Sequence, residues 1–254
     1  MKQIYLLLLC AITLSLTSCQ FSENVYINED GSGKMSFTFD ASEMMDMMGD
    51  KLGEGKEGEE RIDSMMVFKD FLEEKKDSIS QLSQEEQAKL MALKDFRMHM
   101  LMDPETKEMK FDLITDFKDA DELQNMFTAM NNASNFQGKG GATQVNDPNN
   151  PFSAFGKEGA TEMEYSFKGN VFKRTAKVVD EEQYKQMVDS IGEMAMMFGT
   201  SKYKLNYHFP RKIKSVSNED AMFSQDGKSF VLEYGFMDYL ADPKIFNIEV
   251  VLED

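Results

Sequence analysis

Two periodicities divide the chain. Apolar and polar residues alternate through Lys34-Met35-Ser36-Phe37-Thr38-Phe39, Phe96 to Met102, Met109 to Phe117 and Glu162 to Val179. Alternation of this kind marks a strand with one buried face. The runs are separated by Asn28-Glu29-Asp30-Gly31-Ser32-Gly33, Asp103-Pro104-Glu105-Thr106-Lys107 and Lys168-Gly169-Asn170. These residue types predict tight turns, so the runs pair as hairpins, with Val25-Tyr26-Ile27 as the partner of the first.

Between the hairpins the spacing becomes helical. Leu123, Met126, Phe127 and Met130 fall at i, i+3, i+4 and i+7, and Tyr184, Met187, Val188, Ile191, Met194, Ala195 and Phe198 continue such a stripe up to Gly199. Met44, Met48 and Leu52 share a face. Ile62, Met65, Met66, Phe68, Leu72 and Ile79 predict a helix over 62–78. Ser83 with Glu86 forms a capping box for a helix that runs to about Asp95 and buries Leu90 and Leu93. Asp40, Asp119 and Asp180 each open a helical run with acidic residues in its first turn, where they suit the positive end of the dipole. A hairpin followed by an Asp-led helix thus occurs three times.

From Lys202 onward strands return, in Tyr203 to Phe209, Ile213 to Val216, and Met222-Phe223 paired with Phe230 to Tyr234 across Gln225-Asp226-Gly227-Lys228. A helical turn follows at Phe236 to Leu240, then a last strand at Ile245 to Leu252. The expected fold is α+β, an antiparallel sheet built from hairpins with amphipathic helices mainly on one face. Residues 25–254 form a single domain in this reading. The stretch 131–160, rich in Asn, Gly and Pro, is a long flexible loop within it.

The first residues do not belong to that domain. Lys2 precedes a run from Ile4 to Leu16 that is apolar except at Cys10, Thr13 and Ser15. It falls short of the roughly 20 residues that span a bilayer and fits the h-region of a secretory signal. Leu16-Thr17-Ser18-Cys19 resembles the lipobox of bacterial lipoproteins, in particular those of Bacteroidota. The resemblance implies that residues 1–18 are a signal peptide and that Cys19 becomes the first mature residue. It further implies that the Cys19 sulfur carries diacylglycerol and its amine a palmitate-type acyl chain. Residues 19–24 are read as a tether. Gln20-Phe21-Ser22-Glu23 lacks the acidic cluster that marks surface export in some of these proteins, which implies an outer-membrane anchor on the periplasmic side of the bacterial envelope.

Composition narrows the partners. The formal net charge is −17, and one unit lower again without Lys2. Such a chain repels nucleic acid and anionic headgroups, leaving the lipid anchor as its membrane contact. There are 2 cysteines, one removed with the signal and the other lipidated, so no disulfide is expected.

No cofactor, metal or catalytic site is expected. Gly-rich phosphate loops, HExxH helices and GxSxG elbows are absent from the sequence. Asn28, Asp30 and Ser32 match half of a calcium loop, but Phe39 stands where its closing glutamate belongs. Met98-His99-Met100-Leu101-Met102 offers soft thioethers of the kind that hold copper(I), yet alternation puts the three methionines on one strand face, where a core explains them. His99 and His208 fall in different hairpins and read as ordinary sheet residues. Ser64, Ser78 and Ser190 follow an aspartate and precede an apolar residue, which resembles the O-glycosylation motif of exported Bacteroidota proteins.

The opening Val-Tyr-Ile-Asn-Glu-Asp-Gly-Ser-Gly hairpin and the closing Phe209-Pro210 to Asp226-Gly227 region resemble the LppM-like lipoprotein family. That resemblance implies an envelope domain able to hold a lipid or other apolar ligand. Two roles follow. One is a non-catalytic binding module whose 22 methionines line an apolar site. The other is a structural or interaction protein that shows an acidic surface or its long loop to an envelope protein.

Overall fold

Strand-forming alternation dominates the structure as it does the sequence. The computed structural model describes residues 20–43, 61–124, 126 and 160–254. The strands are β1 (Gln20–Ile27), β2 (Gly33–Asp40), β3 (Ile62–Val67), β4 (Phe96–Asp103), β5 (Glu108–Phe117), β6 (Thr161–Lys168), β7 (Val171–Val178), β8 (Lys202–His208), β9 (Ile213–Val216), β10 (Met222–Phe223), β11 (Ser229–Gly235) and β12 (Ile248–Leu252). The helices are α1 (Phe68–Glu74), α2 (Lys76–Ile79), α3 (Gln84–Met91), α4 (Glu181–Phe198) and α5 (Phe236–Ala241), with 3-10 turns at Ala120–Leu123 and Pro243–Phe246.

Eight strands form one sheet in the order β10-β11-β8-β1-β2-β5-β4-β3, and four form a second in the order β6-β7-β12-β9. The pairings are antiparallel except that of β1 with β8, which is parallel. The expected hairpins β1–β2, β4–β5 and β6–β7 are present. In the β1–β2 turn, Asp30 accepts from the Ser32 backbone N–H at 3.1 Å and from its hydroxyl at 2.6 Å, and Gly31 takes φ 84°. These residues cap one another, as a plain Asx turn does.

The sheets face each other. Phe172 of β7 meets Tyr207 of β8 with ring centroids 5.5 Å apart. Beyond the second sheet, α5 and the following 3-10 turn complete the cover: Phe236 stacks on Phe21 at 4.1 Å, and Tyr239 stacks on Tyr203 at 4.5 Å. Phe198, at the end of α4, lies 5.8 Å from Phe21. A smaller cluster of Leu72, Ile79 and Leu90 holds α1, α2 and α3 together. The Ser83–Glu86 capping box is formed at the start of α3, and Asp180 caps α4 by accepting from the Gln183 backbone N–H.

Three expectations change. The layer opposite the large sheet is mostly a second sheet, so the picture of helices covering one face describes only its α4–α5 end. The predicted helix over 62–78 is a strand followed by two short helices. Ile62 to Val67 pairs in register with β4, from Ile62↔Met102 to Val67↔Arg97. Neighbouring β4 supplies a ladder that helical spacing alone does not reveal. Gln20 to Asn24, read as a tether, form the first part of β1, paired with β2 on one side and β8 on the other. The reason is the alternation Phe21, Glu23, Val25, Ile27, all buried, which the charged Glu23 disguises. The Met44 helix and most of the 131–160 loop lie outside the described residues.

Candidate functional site

The alternation of β1 carries two sets of polar groups to opposite faces of the large sheet. The inward set surrounds Glu23. Its side chain and that of Arg174 on β7 are both 0% exposed, with Oε2 and Nη2 3.1 Å apart. Tyr165 donates its hydroxyl to Glu23 Oε1 at 2.8 Å, Tyr203 donates to Oε2 at 3.1 Å, and Tyr207 donates to Oε1 in a short bond. Arg174 also donates to the Phe246 carbonyl at 3.1 Å, and its guanidinium carbon sits 5.6 Å above the Phe246 ring.

Each member of this cluster is satisfied, as buried charges must be. Burial pushes Tyr165, Tyr203 and Tyr207 well above the usual phenol range, and the Glu23 charge adds to it. Tyr239 is raised to about 12, again first by burial. Burial is the largest single influence and disfavours the Arg174 charge, but Glu23 together with Tyr165, Tyr207 and Tyr203 outweighs it, and the guanidinium stays above its ordinary value. The cluster is sealed from water, so its work is to lock the two sheets together.

The outward set forms a hydrogen-bonded strip across six neighbouring strands. Asn206 of β8 donates to Asn24 of β1 at 2.8 Å, and Asn24 makes longer contacts of 3.4 Å with Ser36 and 3.5 Å with Thr38 of β2. Thr38 donates to Asp112 of β5 at 2.6 Å. His99 of β4 closes the strip, with Nδ1 3.2 Å from Asp112 and Nε2 2.9 Å from Asp63 of β3. Both ring nitrogens face carboxylates, so the protonated ring can donate from each of them. The Asp63 bond first, then that of Asp112, raises the His99 pKa above its ordinary value. Nearby, Tyr26 stacks on His208 with centroids 4.2 Å apart.

Sequence reasoning saw His99 but not its two carboxylates, because Asp63 was assigned to a helix. It passed over Glu23 and Arg174, whose signal was the period-two apolar pattern on either side of each charge. Cys19 lies outside the described residues, one peptide bond before β1. Ser64 on β3 and Ser78 on α2 are exposed, while Ser190 lies in α4. Of the methionine run, Met98 is partly buried and packs against the core. Among the described residues no group of His, Cys, Asp and Glu side chains is arranged to hold a metal ion, and no helix is long and apolar enough to cross a membrane.

No family profile and no curated protein sequence matches the chain. Among solved structures it is similar to the folded domain of LppM from Mycobacterium tuberculosis, determined by NMR. The TM-score is 0.38 at 7% sequence identity, over 92% of this chain and 89% of that one. No residue role is carried over from so distant a likeness.

Proposed function

We propose that this protein is a lipid-anchored envelope protein whose non-catalytic domain binds a partner protein through its surface. The observation that carries the reading is the lipobox-like Leu16-Thr17-Ser18-Cys19, placed behind a basic residue and an apolar run and directly ahead of β1. Two acyl chains hold a protein on a bilayer stably, at about 0.8 kcal/mol per buried methylene. The interior supports a surface role over a cargo role, because the space around Glu23 between the sheets is taken up by Arg174, tyrosines and stacked phenylalanines.

Detergent phase partitioning of wild type against Cys19→Ser tests the anchor. Wild type is expected in the detergent phase and the variant in the aqueous phase; both in the aqueous phase overturns it. Crosslinking in intact cells followed by purification tests the role. A reproducible protein adduct supports it. Native mass spectra of the purified domain carrying a stoichiometric lipid would instead favour the apolar-ligand reading, which the methionine content supports.

A further inference from the structure

We propose that the lower end of the large sheet rests on the lipid surface, with the β4–β5 hairpin tip touching the headgroups beside the acylated N-terminus. This rests on the lipid-anchor reading and specifies how the domain sits on the bilayer. Gln20 is held between Asp40 and Lys202 in the middle of the sheet. Cys19 is the next residue, and consecutive Cα atoms are about 3.8 Å apart. No slack separates the acylated residue from a rigid strand. The acyl chains enter hydrocarbon, and the headgroup layer over it is only roughly 6 Å deep on each side. The end of β1 is therefore within a few ångströms of the lipid.

Register then identifies what else reaches that plane. Gln20 aligns with Asp40, Asp40 with Lys110, Lys110 with Leu101, and Leu101 with Asp63. The β4–β5 hairpin continues past this row through Met102↔Met109 and Asp103↔Glu108 into the turn at Pro104–Lys107. At about 3.3 Å per residue the turn projects roughly 10 Å beyond Gln20. With strands about 4.8 Å apart, it is displaced sideways from β1 by roughly 10–15 Å. An anchor and a projecting tip at that separation give two points of contact. A domain anchored at Cys19 cannot stand its strands on the bilayer without bringing the tip down too. The tip row is apolar on its inner side, with Ile62 paired to Met102 and Met102 to Met109. Its outer side is mixed in charge, with Arg61 paired to Asp63 at 2.7 Å and to Asp103 at 3.3 Å and with Glu105 beside Lys107 in the turn, so the anchor and not charge brings the tip down. The β1–β2 turn at Glu29 is at the far end, about 26 Å away along the strands.

Processing leaves the mature protein without a free thiol, so one introduced cysteine is a unique labelling site. The acylated full-length protein, as Thr106→Cys or Glu29→Cys, is labelled with an environment-sensitive fluorophore. It is then reconstituted in vesicles of phosphatidylethanolamine with a minority of phosphatidylglycerol, carrying a headgroup spin label. The label at 106 is expected to be quenched at least threefold more strongly than that at 29. Equal quenching in protein that floats with the vesicles and has the acylated mass overturns the orientation while keeping the anchor. Stronger quenching at 29 inverts it. Protein that neither floats nor carries acyl mass removes the anchor reading, and the orientation with it. Protection of position 106 in cells but no quenching in pure vesicles assigns the tip to a protein partner and also overturns the proposal.

Discussion

Glu23 Oε2 on β1 and Arg174 Nη2 on β7 meet 3.1 Å apart in the interior, and this ion pair joins the two sheets. Breaking one side of a buried pair leaves an uncompensated charge, at about 3–5 kcal/mol. Glu23→Ala is therefore expected to lower the unfolding free energy of the Cys19→Ser form by that amount. It also takes the acceptor from three tyrosine hydroxyls. Replacing both partners, Glu23→Met with Arg174→Met, is expected to lose less than Glu23→Ala alone, because no bare charge remains. Urea denaturation of the three forms measures this. A double variant that loses as much as Glu23→Ala or more would show that an uncompensated charge is not the source of the single variant's loss.

The position of β1 inside the large sheet makes residues 20–27 structural. Deleting residues 20–27 takes away the strand between β2 and β8, and with it Phe21, Glu23, Val25 and Ile27 from the core. A chain beginning at Asn28 is expected to be recovered only as aggregate or unfolded protein. A tether in residues 20–24 predicts instead that a chain beginning at Val25 folds normally. Circular dichroism and yield of both truncations separate the two pictures.

His99 connects the edge strand β3 to β5. Its pKa is raised in the folded state above the ordinary 6.5, so the stability it contributes is fully present below about pH 6.5 and disappears as pH rises through the folded value. Asp63 acts in the opposite sense. The His99 bond holds its pKa below the ordinary 3.8, so its contribution is present above that value and is lost as pH falls through the folded one. Between those limits His99→Asn is expected to cost about 1 kcal/mol, the size of a charge-assisted bond weakened by solvent. The deficit should shrink steadily on raising the pH beyond neutrality. A deficit that is flat with pH would assign the loss to packing and not to charge.

The sequence made the hairpins readable because each carries its own turn chemistry and its own alternation, as in Lys168-Gly169-Asn170 between β6 and β7. The caps were readable too, since Ser83–Glu86 and Asp180 act within one helical turn. What could not be read is set by partners distant in the chain. Ile62 to Val67 has apolar residues at helical spacing and is mostly exposed, so only pairing with β4 makes it a strand. The parallel β1–β8 contact joins residues about 180 apart, and no local signal announces it. The same separation hid the interior cluster. Glu23 looked like a solvated charge after the cysteine until Tyr165, Arg174, Tyr203 and Tyr207 arrived from three other strands. Of the outward strip, only the histidine stood out from the sequence.

Four buried tyrosines, Tyr165, Tyr203, Tyr207 and Tyr239, set an alkaline limit on the fold. Burial, assisted by the Glu23 charge, holds their hydroxyls neutral in the folded protein, while an unfolded phenol ionises near 10. The folded pKa values are the higher ones, so their contribution is intact below about pH 10 and is lost as pH rises through the folded values. Alkali is therefore expected to unfold the domain in one cooperative step that releases several phenolic protons together. The chain has no Trp, so near-ultraviolet absorbance reports phenolate without overlap from indole. In a pH jump, absorbance follows phenolate formation and far-ultraviolet circular dichroism follows the sheets. The four interior tyrosines should appear only as far-ultraviolet circular dichroism is lost. Tyr207→Phe is expected to reduce the slow amplitude by about a quarter, one phenol of the four buried ones. Immediate ionisation of all the tyrosines, with the sheet signal intact, would mean that water reaches Glu23 and that the two sheets are not sealed around it.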